Sequence, residues 1–597
     1  MTVCRVRPDL PAVDRVFDYL VPDGREVVVG TIVRVPLQGR SVRGWVVETD
    51  VESDTDPARL RSLKKIVGAG PPPELLSLAD WAAWRWAGPV VPFLRVASPE
   101  NTVPAPVGAP EATSAGTPAG ASVVRVHRWA PASPRGALVA GLLAETGSTI
   151  VVLPDARRTG ALVRSLADTG RTVVVLRSDQ SAAERTRGWR TSVAGNCVVV
   201  GGRTAVWAPV PDLGAIVVLD EGDEALKEER APAWHARDVA IERGRRLGIR
   251  VELVTPTPTL DAIAAADEVL RPSRTDERAG WPMVEVVDRR DEPPGFGLLT
   301  ASLGIALHRA IDATGSGPGG RAVCVLNRKG RARLLACVAC GELARCEVCG
   351  AAVIETDDGQ LSCPRCSTTR PKVCLHCHAT RMKAVRPGVA RLREDLSALL
   401  PHSTVVEVDA ATGEIPAADV LVGTEAVLHR VPIDAVRPVR LVVFLDADQE
   451  LLAPRVHAAE QALFLLARAA RLVGHRSGPG RILIQTRVPD HEVVEAVRHA
   501  EPDLVSEPER ARRRDLGYPP FGGLAEVSGA SGAVDAIAAA LRAVDGITLL
   551  GPVEVGAGKR ALVQAATVDV LCDALAMTAP AARSAGRLRV EVDPLRV

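Results

Sequence analysis

The chain has 597 residues, and its 73 Lys and Arg against 72 Asp and Glu leave a formal charge of +1. That balance excludes a polybasic nucleic-acid tail, so any phosphate contact must come from local patches. Aromatic residues make up only 3%, which weighs against base stacking as the main mode of DNA binding. Length alone suggests about four domains. Met1–Leu10 has no apolar signal core, and no run of 18 apolar residues occurs. A cytoplasmic protein without a membrane partner is expected. Thiols stay reduced there, so the twelve cysteines must serve metal or burial rather than disulfides.

Residues 1–68 read as a β-rich module, because Val27–Pro36 and Val42–Glu48 alternate apolar and polar residues with glycine turns between them. Pro71-Pro72-Pro73 ends it. Glu74–Ala87 then carries an apolar stripe at helical spacing, including Trp81 and Trp86, within a segment 69–98. Residues 99–121 are rich in Pro, Ala, Gly, Ser and Thr and form a linker.

From residue 122 strands and helices alternate. Thr149–Leu153, Thr172–Leu176, Cys197–Val200, Ala215–Leu219 and Arg250–Val254 are short Val/Ile/Leu runs between helix-length stretches, the pattern of a parallel sheet. A second series comprises Ala322–Leu326, Thr404–Val408, Val420–Val422, Leu441–Leu445 and Ile482–Gln485. The boundaries predicted are an α/β lobe over 122–300 and a second lobe over 301–495. Residues 496–597 alternate again and suggest a small α+β domain.

Eight cysteines form four CxxC pairs within residues 337–377. Such a pair offers two thiolates to one tetrahedral ion, so four pairs imply two structural zinc ions per chain. The segment from Val353 to Ser362 has a hairpin pattern around Asp357-Asp358-Gly359. A hairpin would bring Cys346 and Cys349 beside Cys363 and Cys366, leaving Cys337 and Cys340 to Cys374 and Cys377. This nested pairing is the prediction; sequential pairing is the alternative. His376 and His378 are competing but unnecessary ligands. Residues 321–396 hold 14 basic and 7 acidic side chains, which suits phosphate contact and equally a solvated face.

Asp220-Glu221 closes an apolar strand as a Walker-B pair does, but no GxxxxGK[ST] loop accompanies it. Gly315–Gly320 spells GxGxxG but precedes a strand, so it reads as a flexible connection.

These features together resemble the PriA replication-restart family of superfamily 2 DNA helicases. The likeness rests on Phe17-Asp18-Tyr19 with Val33-Arg34-Val35-Pro36, and on Asp220-Glu221-Gly222-Asp223 with Trp234–Ala240. It continues through Leu326-Asn327-Arg328-Lys329-Gly330 ahead of the cysteines, then Gly423-Thr424, Leu445–Asp448 and Ile484-Gln485-Thr486. It ends on Arg514–Phe521. The resemblance implies a multidomain α/β fold: two RecA-like lobes, a β-rich N-terminal module that binds 3′ DNA ends, a shortened winged-helix-like segment over 69–98, a zinc-binding insertion in lobe 2, and an α+β C-terminal domain. It implies that Phe17, Asp18 and Tyr19 enclose a 3′ strand end and that Lys64 or Lys65 contacts phosphate. The implied partners are forked or 3′-ended DNA, primosome components including the replicative helicase or its loader, and single-stranded-DNA-binding protein.

The chain departs from the family at its nucleotide motifs. Trp129–Gly136 stands where the phosphate loop should lie, motif III reads Val254-Thr255-Pro256-Thr257-Pro258, and Leu428–Pro432 replaces the segment after Gly423-Thr424. Leu472 and His475 fall where the family's arginines belong, with Arg468, Arg471 and Arg476 out of register. ATP is therefore not an expected cofactor. Asp220 and Glu221 read as a remnant of a nucleotide site, so Asp220→Asn is expected to change little. The basic stretch 467–487, with five Arg and no acid, is read either as a DNA or partner groove or as solvated surface. The expected function is binding of stalled or abandoned forks and promotion of primosome assembly and helicase reloading, without helicase activity. The alternative is an active ATP-dependent 3′–5′ helicase with an atypical nucleotide site.

Overall fold

The computed structural model describes residues 2–13, 15–56, 59–104, 121–155, 159–290, 298–312, 319–326, 335–356, 358–384, 389–409, 412–415, 417–432 and 437–596. The linker's residues 105–120, most of the Gly315–Gly320 connection and Asn327–Gly330 lie outside these.

The N-terminal module is a six-stranded sheet whose two edge strands are Arg61–Ser62 and Lys65–Gly68. Those edges are almost contiguous in sequence. Leu63 N–H donates to Leu20 O on one side and Lys64 N–H to Arg34 O on the other, so residues 61–68 close the sheet into a small barrel. Alternation along each strand sends Cys4, Val6, Tyr19, Val33, Val35 and Val46 into its core.

Segment 69–98 folds as two helices, Pro73–Arg85 and Val91–Ala97, with no strand among its residues. It therefore lacks the wing expected of a winged helix. Its apolar face is committed to packing: Leu75, Trp86 and Phe93 share one continuous core with lobe 1 and with the C-terminal domain. Trp86, Phe93, Trp207 and Trp234 form a chain of aromatic contacts 5.5–6.5 Å apart. The helix pair is a packing hub between these domains.

Lobe 1 is a seven-stranded parallel sheet in the order Glu268–Leu270, Val124–Arg128, Arg250–Thr255, Leu213–Leu219, Ser148–Val152, Cys197–Gly201, Thr172–Leu176. Lobe 2 has six strands in the order Met283–Asp288, Arg481–Thr486, Val439–Phe444, Arg321–Val325, Val420–Gly423, Val405–Val408. The boundary between lobes thus falls before Met283, not after residue 300. Met283–Asp288 runs parallel to Arg481–Thr486, a pairing that only the tertiary fold supplies.

The C-terminal domain is a four-stranded antiparallel sheet ordered Ile547–Val555, Gly558–Ala565, Gly523–Gly529, Leu588–Val592, backed by Ser531–Leu541 and Val568–Arg583. Helix Asp503–Leu516 precedes it. Among the described residues no helix is long and apolar enough to cross a membrane.

Candidate functional site

Three places carry chemistry: the barrel surface, the cysteine insertion and the cleft between the lobes. On the barrel, strand Phe17–Leu20 splits its residues between faces. Tyr19 is buried in the barrel core, and its hydroxyl donates to Pro36 O at 3.2 Å. Phe17 packs against the same core. Asp18 faces outward, accepting from Arg5 Nε at 3.0 Å and from Ser53 Oγ at 2.7 Å. Burial alone would raise the Asp18 pKa, but the Arg5 and Ser53 hydrogen bonds outweigh it and hold the carboxyl below its usual value.

Lys64 and Lys65 are exposed at the seam where the barrel closes. Lys65 lies directly opposite Arg34, and Arg34 directly opposite Arg43, giving one cross-strand row of three cations. Like charges so placed repel one another and call for an anion. Arg43 also lies over the Trp45 ring, 5.5 Å from its centroid. Burial, followed by the neighbouring Arg95 and Arg34, lowers its pKa, with Asp9 opposing.

In the insertion, the eight cysteines form two groups: Cys337, Cys340, Cys374 and Cys377, and Cys346, Cys349, Cys363 and Cys366. Paired sulfurs lie 3.5 and 3.6 Å apart in the first and 3.4 and 3.5 Å apart in the second. A tetrahedral zinc about 2.3 Å from each sulfur spaces its ligands about 3.8 Å apart, so both groups fit the ion. The arrangement is nested, and Ile354↔Ser362 with Glu355↔Leu361 forms the connecting hairpin.

Each knuckle uses the same backbone device. The N–H of the residue after the second cysteine donates to the first cysteine's carbonyl, at Gly341, Gly350, Ser367 and His378. All four adopt left-handed φ of 61–81°, so His378 serves by its backbone. His376 N–H donates to Cys374 Sγ at 3.4 Å. Neither histidine joins a sulfur group. The inner knuckle is docked on the body, because Arg365 pairs with buried Glu509 at 3.1 Å and Tyr518 Oη donates to Arg365 O at 3.1 Å.

The cleft holds the least expected arrangement. Strand Val124–Arg128, loop Trp129–Arg135 and helix Gly136–Gly141 come one after another as around a phosphate loop. Pro131 and Pro134 have no N–H to offer. The Ala132 and Ser133 amides donate within the protein, to Gly280 O and Ala130 O. Asp220, at φ 51°, turns off the end of strand Leu213–Leu219. Its carboxylate accepts from Arg135 Nη1 at 2.8 Å and from both Nη atoms of Arg471 at 2.8 and 3.0 Å. Arg471 Nε also donates to Pro131 O at 3.2 Å. Burial would raise the Asp220 pKa, but Arg135 and Arg471 hold it far below the usual carboxylate range. Glu221 is fully buried and accepts from Thr259 N–H, Thr259 Oγ1 and Arg237 Nη1 at 2.8–3.2 Å. Arg468 Nη1 approaches Asp223 at 3.6 Å. Burial, with Arg468 only partly opposing it, pushes the Asp223 pKa up to about 6.

Comparison with known proteins decides the relationship. Residues 5–99 match the model of the PriA 3′ DNA-binding domain, and residues 514–595 match that of the primosomal protein N C-terminal domain. The replication restart protein PriA of Bacillus subtilis is 29% identical across 65% of this chain and 50% of its own length. The probable replication restart proteins PriA of Mycobacterium tuberculosis and Mycobacterium leprae are 28% and 29% identical, each across 92% of this chain and 90–91% of their own length. The chain is thus similar to PriA replication restart proteins at both ends and, in the mycobacterial relatives, over most of its length. A DEAD box protein from Methanococcus jannaschii aligns over 64% of this chain and 86% of its own length, at 9% identity and a TM-score of 0.28.

The PriA 3′ DNA-binding match runs to residue 99 and so takes in the helix pair beyond the barrel. Of the residues expected at the strand end, Asp18, Lys64 and Lys65 reach the surface, whereas Tyr19 is core. Register counting against PriA motifs finds Leu472 and His475 but misses Arg471 and Arg468. Both lie on helix Ala458–Val473 and turn into the cleft. Two of the five arginines in 467–487 are therefore engaged in the cleft. The missed signal is the helical spacing of Glu460, Phe464, Arg468 and Arg471, one stripe facing lobe 1. Arg135, within the loop that replaces the phosphate loop, is likewise legible only once Asp220 is placed beside it.

Proposed function

We propose that this chain is a replication restart protein that binds 3′-ended or forked DNA and promotes primosome assembly and replicative-helicase reloading without unwinding DNA. The observation that carries the absence of motor activity is the filled cleft: Arg135 and Arg471 already neutralise the carboxylate that a working site reserves for Mg²⁺ and phosphate. No Lys stands in Trp129–Gly136 to bridge phosphates, and its two prolines remove amide donors. An arginine finger alone is worth on the order of 10³–10⁵ in rate, and here Leu472 stands at one of its places. The test is ATP hydrolysis by the purified chain with and without forked DNA. No DNA-stimulated turnover and no strand displacement are expected. Turnover abolished by Asp220→Asn would restore the helicase reading.

DNA recognition is assigned to the barrel. The 3′ DNA-binding domain match supports 3′-ended DNA as ligand, and the Lys65–Arg34–Arg43 row supplies phosphate contacts. Each phosphate contact contributes about 0.7 to the salt slope on a single strand and about 0.9 on duplex. Replacing Arg34 and Lys65 together by Ala is expected to lower the slope of log affinity against log salt by nearly two contacts' worth. Asp18→Ala is expected to reduce preference for a 3′ hydroxyl end over a blunt duplex while leaving that slope in place. Fluorescence anisotropy across a salt series measures both. An unchanged slope in the double variant would move the DNA path off this face.

A further inference from the structure

We propose that helix Ala458–Val473 is a nucleotide-independent clasp that holds the two lobes closed, with the Arg471–Asp220–Arg135 triad as its main fastening. The helix belongs to lobe 2, yet four side chains on one stripe, Glu460, Phe464, Arg468 and Arg471, point to lobe 1 or to the cavity between the lobes. At about 1.5 Å per residue its 16 residues span about 24 Å, so the contacts are distributed along one rigid rod. Near its start, Glu460 Oε1 accepts the Leu260 N–H of lobe 1 at 2.7 Å. Near its end, Arg471 makes two charge-assisted hydrogen bonds to Asp220 and a third to Pro131 O. Just past its end, Arg476 N–H donates to Ala279 O at 3.0 Å, a main-chain bond across the lobes.

In a nucleotide-driven pair of lobes the ligand supplies the differential affinity that closes the cleft. Here the protein supplies it. A guanidinium from lobe 2 takes the position of positive charge against Asp220, and Arg135 of lobe 1 completes the neutralisation. The Asp220 side chain is 4% exposed and that of Arg471 16%, so water screens the pair little. Mg·ATP would have to break this fastening before it could bind, and its binding would favour closure no further. The two lobes are then held in one relative arrangement without nucleotide.

Lobe closure and hydrolysis are separate observables, so the clasp can fail while the silent-motor reading stands, and the reverse. The test is amide hydrogen exchange on the full chain, monitored in peptides covering 129–136 and 468–476. In the wild type both are expected to be protected without nucleotide and unchanged by millimolar Mg·ATP. Arg471→Asp, which places like charges together, should raise exchange in the lobe 1 peptide by at least about tenfold. The charge swap Asp220→Arg with Arg471→Asp should restore much of the protection. Arg471→Gln, a milder change, should give an intermediate increase, and a cooperative thermal unfolding transition reports that each variant is folded. Unchanged exchange of 129–136 in folded Arg471→Asp, or protection that rises when Mg·ATP is added to the wild type, would overturn the proposal.

Discussion

Asp220→Asn is expected to destabilise the folded chain by about 3 kcal/mol, the lower end of the cost of removing one partner from a buried charge pair. The substitution keeps side-chain shape, and Asn accepts the left-handed backbone that this position requires. It removes the charge that two half-buried guanidinium groups share. Chemical denaturation of the lobes measures the effect. The sign is diagnostic. An acidic residue kept for Mg²⁺ and phosphate strains the ligand-free protein, so neutralising it leaves stability unchanged or raises it. An Asp kept as a counterion does the opposite. The expectation from sequence that Asp220→Asn changes little is therefore revised: Asp220 is an inter-lobe fastening. A second comparison isolates the pair. Arg471→Ala should cost less than Asp220→Asn, because Arg135 still neutralises the carboxylate. A neutral or stabilising Asp220→Asn would return Asp220 to the role of a vacant metal ligand.

What sequence made legible divides by range. The parallel strands of both lobes show as short apolar runs because both faces of such sheets are buried, and Cys197–Gly201 and Val420–Gly423 are buried along their whole length. The cysteine pairing was readable because a short hairpin between the inner pairs leaves the outer pairs to each other, a local constraint. Three features were not legible, and each depends on a distant partner. Glu268–Leu270 is three residues long and exists as a strand only because Val124–Arg128 lies beside it. Met283–Asp288 has no buried position to mark it and joins lobe 2 by pairing with a strand far along the chain, Arg481–Thr486. Arg471 differs from the family register by one residue, and only a helix laid against lobe 1 turns that offset into contact with Asp220. Trp81, Trp84 and Trp86 illustrate the same limit. Their spacing shows a helix, but not that Trp84 Nε1 would donate to Asp573 of the C-terminal domain.

Cys346→Ser combined with Cys363→Ser is expected to lower bound zinc from two ions per chain to one, measured by elemental analysis after gel filtration. The two cysteines belong to the same sulfur group, so the double variant empties one site and spares the other. Under sequential pairing the same change would empty both. Cys340→Ser with Cys346→Ser reverses the outcomes, removing both ions in the nested arrangement and one in the sequential. The energetic effect is large but local. A structural zinc contributes about 10–16 kcal/mol of binding free energy that is also folding free energy, so the inner knuckles should lose protection from protease. Arg365 then leaves Glu509, yet Glu509 keeps Arg512 and Arg513 as partners. Arg513 in turn still pairs with Glu460 on the helix that meets lobe 1. The ion pairs holding helix Asp503–Leu516 to lobe 2 should therefore survive loss of the inner zinc, and the main thermal transition should move little while the knob opens. A variant that loses one zinc but unfolds as a whole would show that Arg365, rather than the Glu460–Arg513–Glu509 chain, holds the C-terminal domain in place.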